Sequence, residues 1–192
     1  MQPLIDHARP FGRRPEDFAP LAHGQSPRVP FVTCSDSRAD LALITGDRPG
    51  QLLEPRTAGD IVPPPTLDRP TAEAATVEYA VDVLGVRDVV VCDHSHCGAV
   101  AALARDDDLD AVPAVRDRLA QAEPLADAPA GDPAVAGAVQ NHVLARPLRL
   151  RAHSSVRRAT ASGRLRLHGW YYEVRTAAVR AHRPETDTFE AL

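Results

Sequence analysis

Lysine is absent from this 192-residue chain, and all 22 basic residues are arginine. That excludes Schiff-base chemistry on a lysine and any phosphate loop built around one. No run approaches the ~20 apolar residues that a membrane helix needs, so no membrane insertion is expected. Residues 1–12 hold no apolar core of the signal-peptide kind. Cysteine is scarce too: three residues, an odd number in two clusters, which is no disulfide framework. A reducing, cytoplasmic compartment is the expectation. An excess of basic charge is also missing. The net charge of −4 offers no electrostatic case for nucleic acid or a membrane surface.

What remains is ordinary globular material, 44% apolar and 25% charged, enough for one domain with a real core. Residues 1–28 read as a polar arm with at most short helices, broken by Pro10, Pro15, Pro20 and Pro27. A single α/β domain is expected over 29–192. Val29–Thr33 reads as a buried strand ending at Cys34. Gln51–Thr57 reads as a second strand, and Pro55 inside it removes a ladder donor, which places it at a sheet edge. After a proline-rich loop (61–70), Thr71–Leu84 has a broad apolar face, with Thr71 as cap and Gly85 as terminator. Asp88–Cys92 is a third buried strand, and a helix begins at Gly98. A helix near Val112–Ala122 is followed by a Pro/Asp/Ala loop. Two further helices, Val135–Ala145 and Leu148–Ser162, are expected on either side of Pro147. Leu165–Val174 is a fourth strand, with Val179–Arg183 as a hairpin partner and a polar tail from Pro184. Strands alternating with helices predict a mostly parallel sheet flanked by helices. Its chemistry is expected at the carboxyl ends of the strands.

Two motifs fall at such ends: Cys34-Ser-Asp-Ser-Arg38 and His94-Ser-His-Cys-Gly98. Two thiols and an imidazole are the donors that zinc prefers in a tetrahedral site. Cys34, His94 and Cys97 would supply three, leaving the fourth position to water or to Asp36. Arg38, two residues beyond Asp36, can draw that carboxylate away through a bidentate pair. Two thiolates cancel the charge of Zn²⁺, so bound water is less acidified there than among three histidines. Better function at alkaline pH follows. His96 reads as a neighbour or supporting residue rather than a ligand. Cys92 reads as a small buried hydrophobe, and the remaining histidines as surface or packing residues.

The two motifs in this order resemble the β-class carbonic anhydrases. Arg56-Thr-Ala-Gly59, the Glu73–Leu84 helix and His168-Gly-Trp-Tyr-Tyr-Glu-Val174 extend the likeness over roughly residues 21–183. The resemblance implies a zinc lyase that hydrates CO₂ to bicarbonate and a proton. Cys34, His94 and Cys97 would match its metal ligands, and Asp36 with Arg38 its catalytic dyad. Asp36 would become the fourth ligand only in a closed form. It further implies strand order 2-1-3-4 and a homodimer or tetramer embraced by the N-terminal arm. Four departures stand out. Asp93 replaces the usual glycine and Asp60 the usual asparagine. Asp40 follows Ala39 in what the likeness makes an apolar pocket wall, and Ala177-Ala178 lacks the turn glycine. They make a zinc-binding but weak or inactive homologue, a bicarbonate-responsive module, the second reading; a CS₂/COS hydrolase is the third. On the first reading, glycine at 93 is expected to raise activity.

Overall fold

Two short apolar strands frame the molecule. β1 (Val29–Cys34) and β4 (Asp88–His94) are buried almost throughout, as parallel strands covered on both faces must be. They pair in parallel, with Phe31 opposite Val90 and Thr33 opposite Cys92. The computed structural model describes residues 1–11, 18–66, 68, 70–123, 125, 132 and 134–192. Pro15 of the expected arm, residues 67 and 69 of the proline loop, and most of the Pro/Asp/Ala loop lie outside the described residues.

The described sheet has order β2-β1-β4-β5-β6-β7. β2 (Leu52–Leu53) and β3 (Arg56–Thr57) both pair with β1 in parallel. The expected second strand is therefore two fragments, divided at Glu54-Pro55 and lying at the edge, where proline costs least. β5 (Arg166–Glu173) is parallel to β4. The mostly parallel sheet and the expected order of its first four strands are both present. β6 (Ala178–Arg183) and β7 (Thr188–Ala191) then extend it antiparallel.

β7 corrects the expectation of a polar tail. Thr188 and Phe189 suit a strand, and the Phe189 ring lies 6.3 Å from Tyr171 and 5.4 Å from His182. A second correction concerns Pro147. α5 (Pro113–Leu119) lies where the helix near Val112–Ala122 is expected, and α6 (Ala136–Ala152) runs straight through Pro147 and breaks only at His153. Buried His142, Val143, Arg146 and Leu150 bracket the proline. Packing on both sides of it outweighs the ~3 kcal/mol that an interior proline costs. His153 then leaves the helix extended and its ring Nε2 meets the Pro63 carbonyl at 3.1 Å.

Strand alternation sorts the core. Val89 and Val91 join Val77, Val81, Val143, Leu150 and Val156 on one face of the sheet. These come from α3 (Ala72–Glu78), its π-helical continuation Tyr79–Val83, α6 and α7 (Ser154–Ala161). Thr71 caps α3, its hydroxyl accepting from the Ala74 N–H, as expected. Val90 and Cys92 face the other way, towards Phe31, Leu41 and Tyr172. Only α2 (Leu41–Thr45) covers that side among the described helices packed there. An open cavity of about 830 Å³, lined by Phe31, Val90, Trp170 and Val179, remains beside it. α1 (Gln2–Phe11) buries none of its residues and leaves Leu4, Ile5 and Phe11 exposed. No described helix is long and apolar enough to cross a membrane.

Candidate metal centre

β1 and β4 are parallel neighbours, so their carboxyl ends emerge side by side. One ends in Cys34 and the other in His94. A tight turn follows, with His96 in the left-handed region (φ 61°). It returns Cys97 to the same point, immediately before α4 (Gly98–Arg105). The two sulfurs lie 4.0 Å apart. His94 and Cys97 are fully buried and Cys34 nearly so.

The His94 ring is held in one orientation. Its Nδ1 sits 2.9 Å from the Ser95 carbonyl, which can only accept, so Nδ1 carries the proton. Nε2 is left buried, with no hydrogen-bond partner among the described residues. Such an orphan is costly unless something fills it. The thiols carry the same message. The hydrogen bond from Cys97, helped by His94, draws the Cys34 thiol well below its usual range against the effect of burial. The Cys97 thiol is pushed up by that same hydrogen bond and by burial. An acidified thiol, a second thiol held close to it and an unpartnered imidazole nitrogen are a donor set that fits a zinc-type ion.

Asp36 lies on the rim, paired with Arg38 rather than joined to the donor set. Arg38 donates from Nε to Oδ1 at 2.9 Å, from a terminal nitrogen to Oδ2 at 2.6 Å, and from its backbone to Oδ1 at 2.8 Å. The bidentate guanidinium holds the Asp36 carboxyl far below the usual carboxylate range. Even so, Asp36 Oδ2 is only 3.7 Å from His94 Nε2. Two further bonds steady the dyad. Arg38 also donates to the His96 carbonyl at 3.1 Å, and Arg56 donates to the Asp36 carbonyl at 2.9 Å. His96 thus supports the site through its backbone, while its ring meets the Ser95 hydroxyl at 3.1 Å.

The departures from the expected pattern resolve differently. Asp40 does not line an apolar pocket: it is exposed, and its side chain caps α2 by accepting from the Leu43 N–H at 3.1 Å. Ala177 takes the turn glycine's left-handed conformation (φ 58°). Asp60 and Asp93 are fully buried behind the ligands. Asp60 Oδ1 accepts from His142 Nε2 at 2.9 Å, and the Gly59 carbonyl shares that proton at 2.7 Å. Arg146, also fully buried, donates to His142 Nδ1 at 3.1 Å. Asp60 has lost an amide's donor but uses only acceptors here. His142 and Arg146 were not singled out as partners by sequence. Their one signal is that they stand one turn apart on a helix, a spacing shared by many surface pairs. Cys92 is an inert core residue, its thiol pushed up by burial.

Comparison with known proteins identifies the family. Residues 29–179 match the carbonic anhydrase family profile. A carbonic anhydrase of Pseudomonas aeruginosa is 42% identical over 192 aligned residues, covering 94% of this chain and 87% of that protein. Carbonic anhydrase 1 of Escherichia coli O157:H7 is 39% identical, covering 95% of this chain and 85% of its own. Among solved structures, the β-carbonic anhydrase CcaA aligns with a TM-score of 0.89 at 32% identity, covering 100% of this chain and 99% of that one. The chain belongs to the carbonic anhydrase family, in its β class.

Proposed function

We propose that the chain is a zinc-dependent carbonic anhydrase that interconverts CO₂ with bicarbonate and a proton. The observation that carries this reading is the buried, unpartnered His94 Nε2 beside two sulfurs 4.0 Å apart, with the Asp36–Arg38 pair at its edge. Cys34, His94 and Cys97 would hold Zn²⁺. Bound there, the ion supplies Lewis acidity that lowers the pKa of water towards neutrality.

The chain's own residues do the rest. The Ser95 carbonyl keeps His94 in the tautomer that presents Nε2. Asp36 offers a carboxylate oxygen 3.7 Å from that nitrogen. As an ionised, acceptor-only group it accepts a hydrogen bond from the attacking water species and so aims the oxygen lone pair at CO₂. Arg38 keeps Asp36 ionised and in place. When Asp36 leaves Arg38 it would become a closing ligand.

A homodimer or tetramer accompanies this reading. The exposed apolar side chains of α1 and the thinly covered sheet face support it. Residues 1–28 would then be an arm that embraces the partner and 29–192 the catalytic domain. Cytoplasmic residence rests on the three free cysteines, two of which, Cys34 and Cys97, would hold the metal. The second reading, a zinc-binding homologue of weak activity, draws on buried Asp93 and Asp60 behind the ligands.

The test is stopped-flow CO₂ hydration at about pH 7 and pH 9 on protein with zinc near one per chain, beside Asp36→Asn and Arg38→Ala. Activity that rises with pH and collapses in both variants is expected. Zinc-replete, folded, inert wild-type protein would move the assignment to the second reading.

A further inference from the structure

The Ser95-His96 dipeptide carries both halves of the site. The Ser95 carbonyl fixes His94 through Nδ1 at 2.9 Å, and the His96 carbonyl accepts from Arg38 at 3.1 Å. One carbonyl thus aims a metal donor, and the next holds the guanidinium on which Asp36 rests. Their directions depend on the backbone of these two residues. His96 lies in the left-handed region (φ 61°), which disfavours a residue with a side chain by about 1–2 kcal/mol. Such a conformation persists only where its surroundings over-determine it.

Ser95, fully buried, supplies that constraint. Its backbone N–H donates to the Tyr172 carbonyl at 2.9 Å, and its Oγ accepts from the Val174 N–H at 3.0 Å. Both bonds tie the turn to the carboxyl end of β5. The same Oγ meets His96 Nδ1 at 3.1 Å. Tyr171, whose hydroxyl is pushed up by burial, bonds to Ser95 as well. On the other side the His96 N–H donates to the Ala134 carbonyl at 2.9 Å, just ahead of α6. Ser95 Oγ therefore holds the end of β5 and the His96 ring at once, and with them the angle of both carbonyls. Alanine at this position would keep the backbone bonds and lose those made by Oγ.

We propose that Ser95 is a positioning residue whose hydroxyl couples the metal donors to the Asp36–Arg38 pair, setting His94 through one carbonyl and Arg38 through the next. This rests on the zinc-dependent function proposed above and gives a role to a side chain which that function leaves without one. Ser95 Oγ reaches neither metal nor substrate. It acts through the dipeptide, so its loss lets both carbonyls turn together. Metal affinity and the placing of Asp36 then fall with one substitution, whereas Arg38→Ala disturbs the second alone.

The experiment compares wild type, Ser95→Ala, His96→Ala, Arg38→Ala and the variant carrying both Ser95→Ala and Arg38→Ala. Zinc affinity is read by chelator competition, and CO₂ hydration is read at saturating zinc. Ser95→Ala is expected to weaken zinc binding by about tenfold, the scale of a lost support behind a metal ligand. Arg38→Ala should leave zinc affinity as in wild type. At saturating zinc, Ser95→Ala should also cost about tenfold in hydration. In the Arg38→Ala background it should cost much less, because two residues acting through one contact are not additive. A serine that only stabilised the fold would show no such dependence on Arg38. His96→Ala cuts the ring end of the same link at a half-buried position, so it carries the same test should Ser95→Ala not fold. Zinc affinity equal to wild type, or a loss of hydration that persists in full without Arg38, would overturn the proposal. Zinc-replete wild type that hydrates no CO₂ would instead overturn the function it rests on, and the zinc affinities would still decide the role of Ser95.

Discussion

Two carboxylates, each held by a nitrogen donor, flank the same three metal-type donors, and they are built oppositely. Asp36–Arg38 sits on the rim, with Arg38 46% exposed and Asp36 19%. Asp60–His142, backed by Arg146, is wholly buried. The rim pair is bidentate, solvated on one side and within 3.7 Å of the centre. It can exchange Arg38 for another partner at small cost, because water replaces what either group loses. The buried set has no such substitute. Each member's partner is another member or a backbone carbonyl, so the set is a fixed wall against which the ligand strand is held. Movable charge faces the substrate side, and fixed charge stands behind the ligands.

Perturbing each side separately measures that difference. Asp60→Ala is expected to have the largest effect. It leaves the buried Arg146 guanidinium without its nearby counter-charge and His142 Nε2 with the Gly59 carbonyl alone, and should cost about 3–5 kcal/mol in urea unfolding. A loss below ~1 kcal/mol would mean that the buried set is not a unit. Arg38→Ala should reverse the profile. CO₂ hydration falls by about 10²-fold through misplacement of Asp36, while the urea midpoint moves little; a large stability loss would erase the distinction drawn between rim and interior. Asp93→Gly, assayed at saturating zinc, is expected to raise hydration, because it removes a buried carboxyl 3.7 Å from His94 Nε2; unchanged or lower activity per bound zinc would count against that.

Smaller effects sharpen the picture. Gly59 carries the Asp60 turn with φ 68°, and an added Cβ would lie 2.9 Å from the Ala99 Cβ. Gly59→Ala should therefore destabilise by about 1–2 kcal/mol, since the left-handed conformation alone disfavours a side chain by that much. The smallest effect is that of acid on the rim. Asp36 has its folded pKa lowered by Arg38. Its contribution is present above the unfolded carboxylate value of about 4. It is lost as pH falls through the lowered folded value. Solvent screening limits it to about 1 kcal/mol or less. Acid titrations of wild type and Asp36→Asn should therefore differ only in that low-pH window.

Legibility in the sequence followed the range of the forces. β1, β4 and α3 were readable because a run such as Val89-Val90-Val91 can only be buried, and because Thr71 and Gly85 punctuate the helix between them. The donors that the structure gathers, Cys34, His94 and Cys97, were readable as a group because thiols and imidazole at strand ends have few other uses. Pro147 misled, since its local cost is real and only the burial of His142, Val143, Arg146 and Leu150 overrides it. β7 was missed because four residues hold too little pattern without the β6 edge to pair with. Asp40 was misplaced because pocket wall and helix cap are indistinguishable until the turn is built.

By itself, then, the sequence determined the parallel frame, its edge at Pro55 and the identity of the sulfur and nitrogen donors. Those depend on residue type and on contacts close along the chain. Tertiary structure alone decided that Asp36 rests on Arg38, that Asp93 turns an oxygen towards the donors, and that Asp60, His142 and Arg146 meet. Asp60 and His142 are 82 positions apart. Whether their charges attract, repel or stay apart depends on a distance that no local pattern encodes.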